Sequence, residues 1–490
     1  MKSLKERYQN LQIKREPFLK RARDCAALTI PTLLPPEGHN ATSKLPQPYQ
    51  GLGARCVVTL ASRMLVAFIP TGQPFFGLEV PPELLLQEGL MEAPPDLEKG
   101  FALATNLITK EIEKKAWRKP TSLTLELLVS TGNALERYMP DNSIRVYRLD
   151  QYVVVRDLSG NLVELILREK VNKASLPEQT QSYLKASQED DVEIFTCAKR
   201  HPDGWEIKQE VEGQIIEGMG GVTPTNPFNP LRWSAVPGED YGRGKVEEHF
   251  SDLTYLDLLS KSMVDGSAMA TRHITMVRPN AAGSNLRKRF AEAKNGDVIS
   301  GNPEDVDLKQ FANVTGMQIA QQEIARITQE LAQAFLLSSS MIRNAERVTA
   351  QEVRMIAEEL ESVLGGVYSY LSQDMMSARI EALMTSMMAA GQLPPVLQMT
   401  QPVLTVGLEA LERDKDVMRV QTVLQTLQAL PPDFLDYLDI PDLLKTFMIG
   451  LGLPGKVKTE QEAQQTRQQR LMAEQQAQAQ GQAGGPPMPQ

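Results

Sequence analysis

The sequence is poor in cysteine and in aromatic residues, and both shortages exclude classes of protein. The three cysteines, Cys25, Cys56 and Cys197, lie far apart and form no CxxC pair. We therefore expect free buried thiols rather than a disulfide framework or a zinc ribbon. Aromatic residues make up only 6% of the chain, so Leu, Ile, Val, Ala and Met must fill most of the core. The apolar fraction of 42% and the charged fraction of 23% are ordinary for a soluble globular protein.

The sequence also lacks a long apolar run. The best candidate, Leu60–Pro70, is short and is interrupted by Arg63, whereas a membrane-spanning helix needs about 20 apolar residues. Residues Met1 to Lys14 carry alternating charge and no apolar stretch typical of a signal peptide. We expect a soluble protein made inside the cell, with no membrane partner.

Basic residues do not outnumber acidic residues either. Lys and Arg total 52 against 61 Asp and Glu, which gives a net charge of −9. Such a balance argues against tight nonspecific binding to the phosphates of nucleic acid. It is compatible with a surface past which DNA slides.

The chain offers no catalytic constellation. There is no Walker A loop, and Gly242-Arg243-Gly244-Lys245-Val246 lacks both the third glycine and the preceding buried strand of a nucleotide-binding turn. We interpret that motif as a turn before a helix, and Glu189-Asp190-Asp191 as a solvated acidic loop. The histidines never fall at metal-ligand spacing; they are His39, His201, His249 and His273. The sequence predicts neither an enzyme nor a cofactor or metal site.

The period of the apolar residues divides the first half of the chain into two parts. Residues 1 to about 140 follow a helical pattern, with predicted breaks at Pro17 and Pro120 and a last helix from Leu123 to Leu135. The period then changes to two, which predicts an antiparallel β unit over residues 143–236. Ser159-Gly160-Asn161 is typical of a hairpin turn within it.

Two helices separated by a small mixed segment follow. Their apolar patterns run from Val246 to about Thr271 and from about Val314 to Leu337. Short strands are predicted at both ends of the intervening segment, which carries a basic cluster. A solvated face is the first interpretation of that cluster and a contact surface the second; its members are Arg278, Arg287, Lys288, Arg289 and Lys294.

A polar break and a long capped helix come next. The break covers residues 338–348 and includes Arg343, Asn344 and Arg347. Thr349 to Glu352 then form a capping box, and the apolar face that follows continues to about residue 390. The helix contains Gly365-Gly366, although each glycine costs about 1 kcal/mol relative to alanine. The pair predicts a kink or a close approach of the backbone to a neighbour.

The C-terminal part begins with a predicted strand at 401–407 and continues with helices at about 409–429 and 440–450. From residue 459 the chain is dominated by Gln, Ala and Glu, and it ends in Gly, Pro and Gln. A segment with so little to bury is expected to be disordered.

Several stretches, in order along nearly the whole chain to about residue 455, resemble one family. They are Arg21–Pro31 (RARDCAALTIP), Gly53-Ala54-Arg55, Leu60–Pro70 (LASRMLVAFIP), Tyr147–Asp157 (YRLDQYVVVRD) with Gly160-Asn161, Tyr241–Gly244 with Val246-Glu247-Glu248, and Glu346–Gln373 (ERVTAQEVR, EELE and LGGVYSYLSQ). The last is the most specific. The sequence thus resembles the head-to-tail connector, or portal, family of short-tailed bacteriophages.

The resemblance implies an α+β fold that is mostly helical and assembles as a ring, usually of twelve subunits. It implies a wing that contains the antiparallel β unit, a two-helix stem, a small α/β clip and a helical crown. The corresponding residues are 1–240 for the wing (helical 1–142, β-rich 143–236), 241–273 and 313–337 for the stem helices, 274–312 for the clip, 338–348 for a channel loop, 349–408 for a long kinked helix and a strand that returns to the wing, 409–458 for the crown and 459–490 for the disordered tail.

The function implied is a channel at one capsid vertex, through which double-stranded DNA is packaged and later ejected. The implied partners are other copies of the chain, DNA without sequence specificity, the terminase packaging motor, tail adaptor and tail proteins, and the major capsid and scaffold proteins. The protein would be assembled in the host cytoplasm and retained in the virion. Arg343, Asn344 and Arg347 would face DNA from the channel loop, and the basic cluster of 278–294 would contact the motor or adaptor at the clip. A twelve-subunit ring would carry about −108 in total, which discourages phosphates from sticking.

Two alternatives remain. The first is another phage structural protein, but tail adaptors are usually much shorter, and a scaffold would be mostly helical without a β unit. A nuclease or ATPase is the other, and the missing motifs and the acidic balance argue against it.

Overall fold

The computed structural model describes residues 3–40, 42–70, 75–79, 95–175, 191–216, 218, 220–270, 274–277, 292, 306–309, 314–337, 350–394 and 403–406. Over these residues the protein is α+β, with long helices and antiparallel sheets. The helices are α1 (Leu4–Leu28), α2 (Leu52–Phe68), α3 (Pro95–Lys114), α4 (Arg118–Thr131), α5 (Lys245–Glu248), α6 (Phe250–Ala270), α7 (Val314–Ala334), α8 (Ala350–Leu364), α9 (Val367–Leu371) and α10 (Ala378–Ala389), with a π-helical turn at Ser372–Ser377.

The described strands form four antiparallel sheets. The strands are β1 (Phe76–Glu79), β2 (Asn133–Tyr138), β3 (Ile144–Tyr147), β4 (Tyr152–Arg156), β5 (Leu162–Asn172), β6 (Asp191–His201), β7 (Gly204–Val211), β8 (Gln214–Ile215), β9 (Gly221–Thr223), β10 (Phe228–Arg232), β11 (Ile274–Val277), β12 (Val306–Lys309) and β13 (Val403–Val406). Strands β4 to β9 make a six-stranded sheet and β10-β2-β3 a second one, while β1 pairs with β13 and β11 with β12. Pro230 lies in β10, at the edge of its sheet, where a missing N–H is tolerated.

Helix α1 crosses the larger sheet and continues through Pro17, so the predicted break there is wrong. A proline inside a helix removes one hydrogen bond and crowds the preceding turn. Contacts on both sides of it offset this cost. Arg15 donates from Nη1 to the carbonyls of Leu149 and Tyr152 at 3.1 and 2.8 Å, and Leu19 is buried two residues beyond the proline. Tertiary packing therefore decides the length of α1.

The helix predicted from Leu123 to Leu135 ends earlier, at Thr131. Gly132 follows with φ of +77°, a left-handed cap that terminates the helix. Residues Asn133 to Tyr138 form strand β2 instead, and the β unit thus starts ten residues before its predicted beginning at 143. The other predicted break, at Pro120, is displaced as well. The helices α3 and α4 separate at residues 115–117, and Pro120 lies in the first turn of α4, where a proline is tolerated.

The main core lies among α2, α4, α6, α7, α8 and the segment from α9 to α10. Leu60, Leu128, Phe335 and Tyr368 are fully buried members of this cluster. The rings of Phe68 and Tyr368 stack at 4.9 Å, which joins α2 to α9. All three cysteines are free and buried, and burial raises the pKa of each thiol to about 12.

Candidate subunit and DNA interface

Helices α6 and α7 pack on each other as a two-helix arm, with the β11–β12 pair between them in the chain. A Cβ placed on Gly266 of α6 would lie 3.8 Å from Sδ of Met317 of α7, so the helices are in contact near this end. The strands continue the pairing, from Ile274 opposite Lys309 to Val277 opposite Val306. The two ends of the small segment predicted between the helices, at 274–277 and 306–309, therefore pair with each other.

The base of the arm is anchored in the main core. Leu253 and Leu256 of α6 are buried there together with Ile327 and Leu331 of α7. Phe335, just after α7, is also buried, and its ring lies 5.4 Å from that of His249. This end of the arm is therefore held by apolar contacts on both helices.

The arm is also tied to the helices of the first part of the chain. The Asp257 carboxylate of α6 accepts hydrogen bonds from the backbone N–H groups of Tyr49 and Gln50, at 2.6 and 3.3 Å. The Gln50 side chain in turn donates to the Leu28 carbonyl at the end of α1 and accepts from the Gly53 N–H at the start of α2. These contacts fix the direction in which the arm leaves the core.

On the sides that do not face the core, the arm exposes large apolar side chains to solvent. Tyr255, Leu258 and Val264 of α6 are 44%, 59% and 54% exposed, and Ile319 of α7 is 58% exposed. Single exposed apolar residues are common, but several on one small element mark an interaction surface. Tyr255 and Val264 are nine residues apart and therefore lie on opposite sides of α6. We call the four residues together the arm patch.

The charge of the arm is acidic. Helices α6 and α7 carry five carboxylates and two cations, a net charge of −3. Arg326 is paired with Glu323 and Glu330 at 3.0 and 2.7 Å, and its hydrogen bonds to these two carboxylates raise the pKa of Arg326. Its charge is therefore compensated within α7. Such a surface repels phosphates rather than gripping them.

The polar break that follows α7 lies outside the described residues, and Arg343, Asn344 and Arg347 lie there with it. Its two flanks are described. Phe335 and Leu336 precede it, Val353 and Ala357 follow it on α8, and all four are buried in the main core. The described residues on the two sides of the polar break are therefore anchored in the same core. The basic cluster of Arg278, Arg287, Lys288, Arg289 and Lys294 also falls outside the described residues, as do Thr349, the predicted N-cap of the long helix, and the crown and tail residues from 409 onward.

At Gly365-Gly366 the chain leaves the helical conformation. The two glycines have φ of +58° and +88° and separate α8 from α9. Within the described part of the chain, no neighbouring atom lies within 4 Å of a Cβ placed on either residue. Their positive φ, rather than a close neighbour, accounts for glycine here. The Glu361 carboxylate accepts from the backbone N–H of Ser369 at 3.1 Å across the break.

A buried ion pair holds the start of α10, and no sequence pattern indicated it. The Arg379 guanidinium of α10 donates to both carboxylate oxygens of Glu136 on β2, and both side chains are fully buried. Thr121 accepts from Arg379 at 2.7 Å and Thr124 donates to Glu136 at 2.6 Å. The pair joins residues 243 positions apart, and no local pattern predicts such a contact.

The glycines of the 242–246 motif serve close packing. A Cβ on Gly242 would lie 2.8 Å from the Gly132 carbonyl oxygen, and one on Gly244 would lie 2.8 Å from the Gly132 nitrogen. The Asn133 side chain bonds both the N–H and the carbonyl of Gly242 at 2.8 Å. The helix that follows, α5, is only four residues long. The motif thus locks the start of β2 to the segment before α5.

Neither a metal site nor a membrane span is found in the described part of the chain. No group of three or more His, Cys, Asp or Glu side chains there is arranged to hold a metal ion. Among the helices of the described residues, none is long and apolar enough to cross a membrane.

Comparison with known proteins identifies relatives over most of the chain. Residues 1–458 match the family of bacteriophage head to tail connecting proteins. The portal protein of Escherichia phage T7 is 31% identical over 491 residues, which cover 95% of this chain and 90% of the relative. The portal protein of Enterobacteria phage T3 is 32% identical, with 87% of this chain and 82% of the relative covered. That of Pseudomonas phage phiKMV is 27% identical, with 93% and 92% covered.

Among solved structures, the neck of an empty gene transfer agent particle gives a TM-score of 0.41 at 13% identity, covering 78% of this chain and 91% of that one. The virion of the native particle gives 0.38 at 11% identity, covering 78% and 90%. The assignment rests on the sequence relationships, which span nearly the full length. The chain belongs to the family of bacteriophage head to tail connecting proteins, and its place is in the virion, between the head and the tail.

Proposed function

We propose that this chain is the subunit of a portal: a closed ring of about twelve copies, the number usual in the family, with a central channel for double-stranded DNA. The observation that carries the proposal is the arm. It is anchored at its base in the core, and its patch of four large apolar side chains is left uncovered in a single copy. Neighbouring copies in a ring would cover such a surface.

The order of the elements supports the assignment of the parts of the ring that the resemblance to the family implies. The wing comprises α1 to α4 and the strands from β2 to β10, α6 and α7 form the stem, and β11 with β12 belongs to the clip. Helices α8 to α10 form the long helical segment, and β13 returns to pair with β1. The crown, at 409–458, lies outside the described residues.

The role of the ring is mechanical and electrostatic rather than catalytic. The acidic stem keeps the DNA backbone from adhering, while Arg343, Asn344 and Arg347 of the channel loop touch it without reading its sequence. The basic cluster of 278–294 meets the packaging motor and later the tail adaptor. The alternatives of a tail adaptor or a scaffold find less support, because the extensive β unit and the length of the chain fit neither.

The DNA contact is tested by replacing Arg343 and Arg347 together with Glu. The double variant should assemble into rings and heads, since neither residue belongs to the arm patch, but mature heads should contain less DNA. The matched control is Arg200→Glu, which changes an exposed charge of the wing sheet. Heads of the double variant with a normal DNA content would contradict the assignment of the channel loop.

The clip assignment has a separate test. Charge reversal at Arg287, Lys288 and Arg289 should weaken binding of the purified ring to the packaging motor or to the adaptor. Normal motor docking together with normal tail attachment would rule it out.

A further inference from the structure

A small polar cavity of about 260 Å³ lies beside α1, between its middle turns, the loop at 35–39 and the turn that precedes β4. Four arginines line it: Arg15, Arg23, Arg148 and Arg168. Three carboxylates, Glu16, Glu37 and Asp150, share the lining. Nothing in the proposed function uses this cavity.

Arg15 is the most buried of these arginines, with 1% of its surface exposed. Its Nη1 donates to the Tyr8 hydroxyl and to the carbonyls of Leu149 and Tyr152, at 3.0, 3.1 and 2.8 Å. Its Nε is buried and has no acceptor. Within the described part of the chain, no carboxylate forms an ion pair with it at 4.0 Å or less. A buried guanidinium without a counter-ion is costly, and an anion in the adjacent cavity would offset part of that cost through its charge.

Arg23 is the second incompletely satisfied cation. Its contacts with Glu16 and Glu37 are long, at 4.0 and 3.6 Å, and both carboxylates are largely in solvent. Its Nε is also buried without an acceptor. Arg148 differs, because two of its nitrogens donate to the two carboxylate oxygens of Asp150 at 3.2 and 3.0 Å. Arg168 makes a long contact of 3.8 Å with Glu193. The unmet binding capacity is therefore that of Arg15, Arg23 and Arg168.

We infer that this cavity binds one carboxylate side chain of another protein in the phage particle. A guanidinium and a carboxylate match in plane and in spacing. The volume is below that of sites that hold nucleotides or drug-sized ligands. The three carboxylates of the lining oppose a phosphate dianion about twice as strongly as a single carboxylate. A head to tail connecting protein is surrounded by other proteins that carry such side chains. The inference does not depend on the ring or on the DNA channel.

The test uses the purified full chain and a tetraglutamate peptide with an amidated C-terminus and an uncharged BODIPY label, measured by fluorescence anisotropy at low salt. Tetraglutamine with the same amide and label is the probe that lacks carboxylates. Tetraglutamate should bind although the protein is acidic overall, and tetraglutamine should not. Arg23→Gln should weaken binding by about 10-fold or more, the value of a charge-assisted hydrogen bond. Arg200→Gln, on the exposed wing sheet, should leave the affinity unchanged.

Arg15→Met should abolish binding, with the melting temperature as a check on folding; if that variant does not fold, Arg23→Gln decides alone. Acetate should displace the peptide at a lower concentration than inorganic phosphate. The inference is overturned by equal binding of the two peptides, by equal effects of the Arg23 and Arg200 substitutions, or by phosphate acting as the better competitor.

Discussion

Two buried arginines show how differently a guanidinium is accommodated in this protein. Arg379 has a full counter-ion in Glu136, supported by hydroxyl groups from two threonines. Arg15 is equally buried but is held only by carbonyls and a phenol. The first arrangement is closed, and it locks α10 to β2. The second leaves a cation without a counter-ion beside a cavity, and this is why we propose the carboxylate-binding site there.

The Arg379–Glu136 pair makes the first prediction. Arg379→Met leaves the Glu136 carboxylate buried without its cation, and the free energy of unfolding should fall by about 3–5 kcal/mol. Replacing both residues together, Arg379→Met with Glu136→Leu, should cost less than the single change. Denaturant unfolding at a fixed protein concentration measures both.

The matched control for this experiment is Arg354→Met. Arg354 pairs with Glu358 on the exposed face of α8 at 2.9 Å, and loss of such a pair costs less than about 1 kcal/mol. If Arg354→Met and Arg379→Met lowered the free energy of unfolding equally, burial of the Arg379–Glu136 pair would have no energetic consequence.

At the scale of elements, the break between α8 and α9 depends on a conformation that other residues adopt only with strain. Gly366→Ala should destabilise the protein by about 1–2 kcal/mol, because φ of +88° is left-handed. The same substitution at Gly266, inside α6, should be neutral or stabilising by up to about 1 kcal/mol. There the new methyl group would meet Met317 at an ordinary 3.8 Å.

The two substitutions should change the stability in different directions, which separates the effect of backbone conformation from that of packing. Thermal unfolding of the two variants and of the parent protein measures the difference. A Gly366→Ala variant as stable as the parent would mean that the break tolerates an L-residue, and our account of the glycine pair would be wrong.

The arm patch gives a prediction about assembly. Leu258→Glu with Ile319→Glu should release subunits from the ring, because an apolar side chain buried on association contributes about 1.5–3 kcal/mol and a buried carboxylate opposes it. Both positions are exposed in a single copy, so the subunit itself should remain folded. Sedimentation velocity measures the change in mass, and circular dichroism the fold.

Leu158→Glu is the control for the arm variant. Leu158 is fully exposed at the tip of the β4–β5 hairpin, and its replacement should leave the oligomer intact. Loss of assembly in both variants would remove the special role of the arm.

The elements that local pattern determines could be predicted from the sequence, and those that distant contacts determine could not. The helix–strand–helix order around β11 and β12 follows from apolar periodicity. The length of α1 does not, since the contacts of Arg15 and Leu19 carry it through Pro17. Strand β1 was missed because its pairing partner, β13, lies more than 300 residues away. The cavity beside Arg15 and Arg23 could not be predicted either, because its lining residues come from separate parts of the chain.

At the scale of the whole molecule, the described residues form a core from which one two-helix arm extends. In the chain, α1 precedes the core helices α2 and α4, and the six-stranded sheet lies between α4 and α6. Helices α8 to α10 complete the core. Ion pairs of Arg63 with Glu359 and of Arg379 with Glu136 connect the first and last parts of the described chain.

The central claim is that copies of this chain close into a ring whose channel is lined by the arms. Cryo-electron microscopy of the purified full chain tests it most directly. The account predicts closed rings with a central hole, with α6 and α7 around the hole and Tyr255, Leu258, Val264 and Ile319 covered by neighbouring copies. Monomers, open filaments or rings whose arms point outward would contradict it.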